Sequence, residues 1–157
     1  MGHARLRESE RRVSTLMSSL PGMAFRVKCA PGVFEYDFAS EGAQFLTGYP
    51  ADSFVRRGGI AFSDIVHEED RKAFLDAHTV ENPDDPIEHI FRIVRADGVV
   101  RWVWERSRIV GREKGGVVHY EGFYLDITAR YQLKEAELAS RAKREFLATM
   151  RHEIRTP

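Results

Sequence analysis

The sequence predicts an α+β fold in which short helices pack on an antiparallel sheet, and three observations carry that reading. Two segments near the N-terminus and three in the second half have the composition of strands. The stretch between them shows short helical runs broken by glycine and proline. The C-terminal segment after Asp126 contains no glycine and no proline before Pro157. Strands, then helices, then strands is the order expected when helices are gathered on one antiparallel sheet.

Residues 5–20, RLRESERRVSTLMSSL, place Leu6, Val13, Met17 and Leu20 among charged neighbours, which predicts a narrow-striped amphipathic helix stopped by Pro21-Gly22. MAFRVKC and VFEYDFA follow as two strands around a turn at Pro31-Gly32. The second alternates Phe34, Tyr36 and Phe38 with Glu35 and Asp37, so one face of this hairpin is expected to be apolar. Ser40 is placed to cap EGAQFLTG, Gly48 to stop it, and Pro50 to start PADSFVRR, which Gly58-Gly59 breaks.

HEEDRKAFLDAHTV reads as a longer helix whose first turn carries Glu68, Glu69 and Asp70, where negative charge complements the helix dipole, with Asn82-Pro83 closing it. IEHIFRIVR and VVRWVWERSRIV form a hairpin around Asp97-Gly98, and GREKGG joins a last strand, VVHYEGFYLDI. Beyond Asp126, Leu138, Ala142, Phe146, Met150 and Ile154 recur at every fourth residue, the mark of a long helix with its own apolar stripe.

Hydrophobic content of 43% and charged content of 31%, with ten Phe, five Tyr and two Trp, suit a globular core and argue against global disorder. Lys and Arg number 24 and Asp and Glu 24, so no net field draws the chain to nucleic acid or to an anionic membrane, and neither is expected as a partner. A single cysteine, Cys29, excludes an intrachain disulfide framework and any multi-cysteine metal site. With no stretch of ~20 apolar residues and no signal peptide, a cytoplasmic location is expected. Met1 to His3 reads as a cloning remnant.

FLTGYPADSF, IVHEEDRKAF, FRIVRADGVVRWV and GFYLDITAR, in that order between about Leu20 and Arg130, resemble the PAS family of sensory domains with its C-terminal PAC segment. The DIT of Asp126, Ile127 and Thr128 is the most telling piece. The tail EFLATMRHEIRTP resembles the H-box of sensor histidine kinases. The resemblance implies a five-stranded antiparallel sheet with helices on one face, enclosing a pocket or a packed core, and a signalling helix feeding the dimeric bundle of a kinase. On that basis residues 1–20 are the N-terminal amphipathic helix, 21–128 the PAS/PAC sensory domain, and 129–157 the signalling helix with a truncated phosphoacceptor H-box.

The same resemblance makes His152 the phosphoacceptor, Glu153 the residue that orients the imidazole or takes its proton, and Thr156 a positioner of water for dephosphorylation. An imidazole with an unperturbed pKa of ~6.5 is largely neutral, hence nucleophilic, near neutral pH. Arg151 stands where serine is most common before the histidine. The chain has no phosphate-binding P-loop, so it is expected to be an inactive fragment of a longer homodimeric kinase, whose missing domain takes ATP and whose phosphate passes to a response regulator. No metal site is expected, since a zinc-protease helix needs H-E-x-x-H and position 156 is Thr.

For the sensory pocket, the candidates are Phe25, Phe45, Phe54, Phe62, Phe74, Trp104 and Phe123, although such an aromatic set is more often plain core than a cofactor box. Cys29 lies on the first strand, away from the helix that carries the reactive cysteine of flavin photosensors. Phe74 aligns near the place of the axial histidine in haem relatives, with His67 and His78 at the two ends of the helix as caps or surface groups. Both comparisons argue against haem and photoactive flavin. Asp126 and Thr128 are the expected coupling joint between sheet and exit helix. Two other readings stay open: a ligand-independent PAS dimerisation module and a haem or flavin redox sensor. A small-molecule ligand also stays open.

Overall fold

The computed structural model describes residues 8, 11–12, 22–30, 33–78 and 85–155. The expected N-terminal stripe of Leu6, Val13, Met17 and Leu20, the turn at Pro31-Gly32, the stop at Asn82-Pro83, and Thr156 lie outside these residues. The chain divides into two compact units, Met1–Asp126 and Ile127–Pro157.

The first unit is built from β1 (Gly22–Ala30), β2 (Val33–Ala39), α1 (Ala43–Thr47), α2 (Asp52–Val55), α3 (Phe62–Ile65), a 3-10 turn (Glu68–Asp70) leading into α4 (Arg71–Ala77), β3 (Ile87–Val94), β4 (Val100–Glu113) and β5 (Val117–Asp126). The five strands form one sheet in the order β2-β1-β5-β4-β3, and every pair is antiparallel. The last strand therefore sits in the middle, between the first and the fourth. The second unit is a single helix, α5 (Thr128–Arg155). Among the described residues no helix is long and apolar enough to cross a membrane.

Alternation explains which face is buried. Met23, Phe25 and Val27 of β1, Ile87, Phe91 and Ile93 of β3, Val103 of β4, and Tyr120 and Tyr124 of β5 are buried. Ala43 and Leu46 of α1, Phe54, Phe62 and Ile65 of the next two helices, and Phe74 of α4 join them in one cluster, so the short helices cover that face. Turns fall where glycine permits positive φ: Gly48 ends α1 at 81°, and Gly98 sits in the β3–β4 hairpin at 84°. Strand β4 runs on through the residues Gly111 to Glu113, leaving Lys114, Gly115 and Gly116 for the turn into β5.

At the centre, Tyr124 is sandwiched between Phe25 and Phe62, with ring centroids at 4.2 and 4.3 Å and planes tilted by 16° and 13°. Offset stacking of this kind adds to the burial of the rings themselves. The buried phenols of Tyr36 and Tyr124 satisfy each other across 2.6 Å. Burial pushes both hydroxyl pKa values well above the usual phenol range, so both stay neutral and one donates to the other.

Two sequence expectations change here. Phe38 does not join Phe34 and Tyr36 on the inner face. The register slips between Arg26 and Val27, so Val27 faces Tyr36 while Arg26 faces Phe38, and Asp37 is the extra residue of a bulge that turns Phe38 to the outer side. Ser40 does not cap α1, whose N-cap position is Gly42 with no side-chain bond. Ser40 Oγ accepts instead from Ala24 N–H at 2.8 Å, and Ser40 N–H donates to the Ala24 carbonyl at 2.9 Å, tying the helix entry to β1. Gly42 must be glycine because a Cβ there would overlap the Gly22 carbonyl.

The tyrosine pair gives a stability test by urea denaturation. Tyr124→Phe leaves the Tyr36 hydroxyl buried without a partner and should cost about 1–3 kcal/mol. The double variant Tyr36→Phe/Tyr124→Phe removes both hydroxyls and should recover most of that loss.

Candidate functional site

Strand β4 alternates Val103, Glu105 and Ser107 inward, and this register carries a carboxylate into the core with 0% exposure. His89 stands directly across from it on β3. His78 follows the last turn of α4 and is itself buried. Three side chains from three elements thus meet at one point.

The contacts are short. Glu105 Oε2 lies 2.8 Å from His78 Nε2, and Oε1 lies 2.7 Å from His89 Nε2. Ser107 Oγ donates to Oε2 at 2.8 Å, and His78 Nδ1 is 2.8 Å from the Phe74 carbonyl. A carbonyl only accepts, so His78 Nδ1 carries a proton, and its Nε2 faces a carboxylate; with acceptors on both sides the ring is held as imidazolium. Aromatic walls enclose the group: Phe74 is 4.8 Å and Phe34 5.4 Å from the His78 ring, and Phe91 is 5.0 Å from the His89 ring. Tyr120 donates its hydroxyl to the His78 carbonyl at 3.0 Å.

Burial alone pushes the Glu105 carboxyl up, but hydrogen bonds from His78 and His89 outweigh it and hold the group down at about 2. For His78, burial opposes the charged ring, while the Glu105 hydrogen bond and charge and the Phe74 carbonyl raise its pKa above the usual value. The neighbouring Cys29 thiol is pushed up to about 12 by burial and by the Glu105 charge, so it stays a thiol.

A second ion pair fixes where α4 lies. Arg92 of β3 donates from its backbone N–H and Nε to Asp70 Oδ2 at 2.8 and 3.0 Å, and from Nη2 to Asp70 Oδ1 and Glu69 Oε2, each at 2.9 Å. The acidic residues expected to complement a helix dipole therefore also clamp the helix start to the sheet. His67 accepts from Glu69 N–H at 3.2 Å, as a helix cap.

The pocket candidates separate. Phe25, Phe54, Phe62 and Phe74 are buried in the core, and Phe74 adjoins the His78 cluster. Phe45 is 77% exposed and lines no interior. Trp104 and Phe123 pair with each other at 5.5 Å on the outer face of the sheet, in the register opposite to Glu105 and Tyr124. A separate groove of about 640 Å³ opens beside β2, lined by residues that include Tyr36, Phe54, Arg56, Arg57 and Ile60. Asp126 ends β5 with its carboxylate 3.7 Å from Arg101 Nε, and Thr128 is the first residue of α5. His152 and Glu153 are exposed on α5.

Sequence reasoning passed over Glu105 and His89 and read His78 as a cap or surface group. The signal was present in V-W-E-R-S: a glutamate in phase with an inward valine and serine is either an error of register or a buried charge awaiting partners.

The cluster predicts the pH dependence of stability in chelator-treated protein. The Glu105 contribution is present above about pH 4.5 and is lost as pH falls toward 2; the His78 contribution is present below about pH 6.5 and is lost as pH rises through its raised pKa. Urea midpoints should therefore be highest between those limits and fall on the alkaline side. Glu105→Gln should lower stability near pH 6 by about 3 kcal/mol and flatten the alkaline slope.

Residues 36–124 match the PAS fold family. Over 145 residues the chain is 31% identical to the methyl sulfide methyltransferase-associated sensor of Methanosarcina acetivorans, covering 90% of this chain and 14% of that protein. The chain thus spans about one seventh of the length of that relative. Among solved structures it resembles the sensory box histidine kinase/response regulator of Burkholderia thailandensis, with a TM-score of 0.60 and 19% identity over 85% of this chain and 98% of that one. It also resembles the N-terminal domain of a diguanylate cyclase with a PAS/PAC sensor from Marinobacter aquaeolei, with a TM-score of 0.55 and 19% identity over 69% of this chain and 98% of that one. The sheet order, the helices gathered on one face and the match across most of the first unit lead to one conclusion: this chain belongs to the PAS fold family.

Proposed function

We propose that the chain is the sensory input module of a two-component histidine kinase and carries the phosphoacceptor, His152, on its C-terminal helix. The observation that carries the reading is a PAS-family domain continued, after the single residue Ile127, by a 28-residue helix on which His152 and Glu153 are exposed. The resemblance of EFLATMRHEIRTP to a kinase H-box supports the same role.

In this reading an ATP-binding domain of the same kinase presents the γ-phosphoryl group. The neutral imidazole of His152 attacks, a nitrogen–phosphorus bond forms, and the bond to the bridging oxygen breaks to release ADP. Glu153 orients the ring and accepts its proton. The phosphoryl group then passes to a response regulator in the cytoplasm. Leu138, Phe146 and Met150, exposed at 55%, 64% and 40%, repeat on one side of α5 and support pairing with a second copy of the chain.

A signal reaching the PAS core alters the angle or register of the helix that follows Asp126, with Asp126 and Thr128 as the joint. The stack of Phe25, Tyr124 and Phe62 through the interior favours a second reading, in which packing and dimerisation carry the signal without a bound ligand. The visible spectrum of the purified protein separates that reading from a haem or flavin sensor, since only the cofactors are coloured.

In the full-length kinase, His152→Gln should abolish incorporation of label from γ-labelled ATP; label retained at another residue refutes the assignment. Asp126→Ala in the same protein should change basal or stimulated phosphorylation, and identical activity under both conditions removes the proposed joint.

A further inference from the structure

The hydrogen bonds that join His78, His89 and Glu105 also gather three metal-ligating groups in the interior. One ligand atom from each residue lies within 4.8 Å of the others, and the three come from the end of α4, from β3 and from β4. Two imidazole nitrogens and one carboxylate oxygen are a donor set that first-row divalent transition ions take, with further positions left for water. Calcium and magnesium prefer oxygen alone.

We infer that His78 Nε2, His89 Nε2 and a Glu105 carboxylate oxygen form a binding site for a divalent transition-metal ion, with zinc as the leading occupant. The outer contacts are those such a site needs. His78 Nδ1–H donates to the Phe74 carbonyl at 2.8 Å, which fixes the ring so that Nε2 points at the centre. Ser107 Oγ holds Glu105 Oε2 at 2.8 Å. The present contacts of 2.8 and 2.7 Å, one to each carboxylate oxygen, are charge-assisted hydrogen bonds from the two Nε2 atoms. A cation displaces those protons and bonds to the two Nε2 atoms and one of the two carboxylate oxygens.

Of the three, His89 is the one nearest solvent, its side chain keeping 18% of its surface exposed while Glu105 has none and His78 has 4%. His119, near Asp37 at 3.8 Å and Glu113 at 3.3 Å, lies on the strand surface and is the natural control for casual binding. The inference is independent of His152 and holds whatever output the domain drives.

The test is titration of the chelator-treated 157-residue chain with cobalt(II), read by its visible d–d absorption, followed by displacement with zinc(II). The expected result is a saturable band at one ion per chain, lost on zinc addition, and a rise in melting temperature with zinc that chelator reverses. His89→Gln, at the least buried of the three ligands, should weaken cobalt binding by more than the ~10–100-fold typical of outer-shell changes, and Ser107→Ala should weaken it within that range. His119→Ala should leave the band unchanged. Absence of a saturable band in folded wild-type protein overturns the site, as does a band that persists in folded His89→Gln or disappears in His119→Ala.

Discussion

A carboxylate with no access to water, placed among aromatic rings, is the constraint around which the domain is arranged. Left alone, Glu105 would be protonated or would force its strand out of register, because an unpaired buried charge costs several kcal/mol. Its two oxygens are instead shared among His78, His89 and Ser107. Satisfying that carboxylate requires α4, β3 and β4 to be in place together, so the cluster specifies an arrangement that a purely apolar core would leave looser.

The remaining contacts serve that arrangement. Arg92 grips Asp70 and Glu69 at the start of α4, which sets the helix so that its last turn delivers His78 to the sheet. The Phe74 ring closes the space beside the imidazole while its carbonyl, accepting from Nδ1, fixes the orientation of the ring. At the centre of the sheet, the Phe25, Tyr124 and Phe62 stack fills the interior, and the phenols of Tyr36 and Tyr124 satisfy each other there. The charged cluster and the neutral stack adjoin, since Glu105 lies directly across from Tyr124 on the paired strands.

Much of this was legible in the sequence where a single local rule decides the outcome. Asp97-Gly98 marks its hairpin because a positive φ is needed, and alternation in VVRWVWERSRIV marks its strand. Ser40 was misread because its partner, Ala24, is sixteen residues away and no local pattern announces it. Trp104 and Phe123 are pocket candidates as aromatic residues of the sequence, yet their phase against Glu105 and Tyr124 puts them outside. Glu105 was invisible for a related reason: a charge is read as solvent-facing until its cross-strand partner is known, and His89 becomes that partner only through the β3–β4 register.

The bulge at Asp37 also sets a length. Tyr36 pairs with Val27 and Ala39 with Phe25, so β2 spends three steps where β1 spends two. The extra residue is slack of about 3.3 Å of strand, and it is what lets Ser40 arrive opposite Ala24 rather than a step past it, opposite Met23. Pairing the same residues without the bulge would set Phe38 inward, opposite Phe25, and carry the anchor of α1 a full strand step too far, whereas a change of side chain at Asp37 would leave the spacing intact. At this position the chain is constrained by how the two strands are paired more than by which side chain it holds.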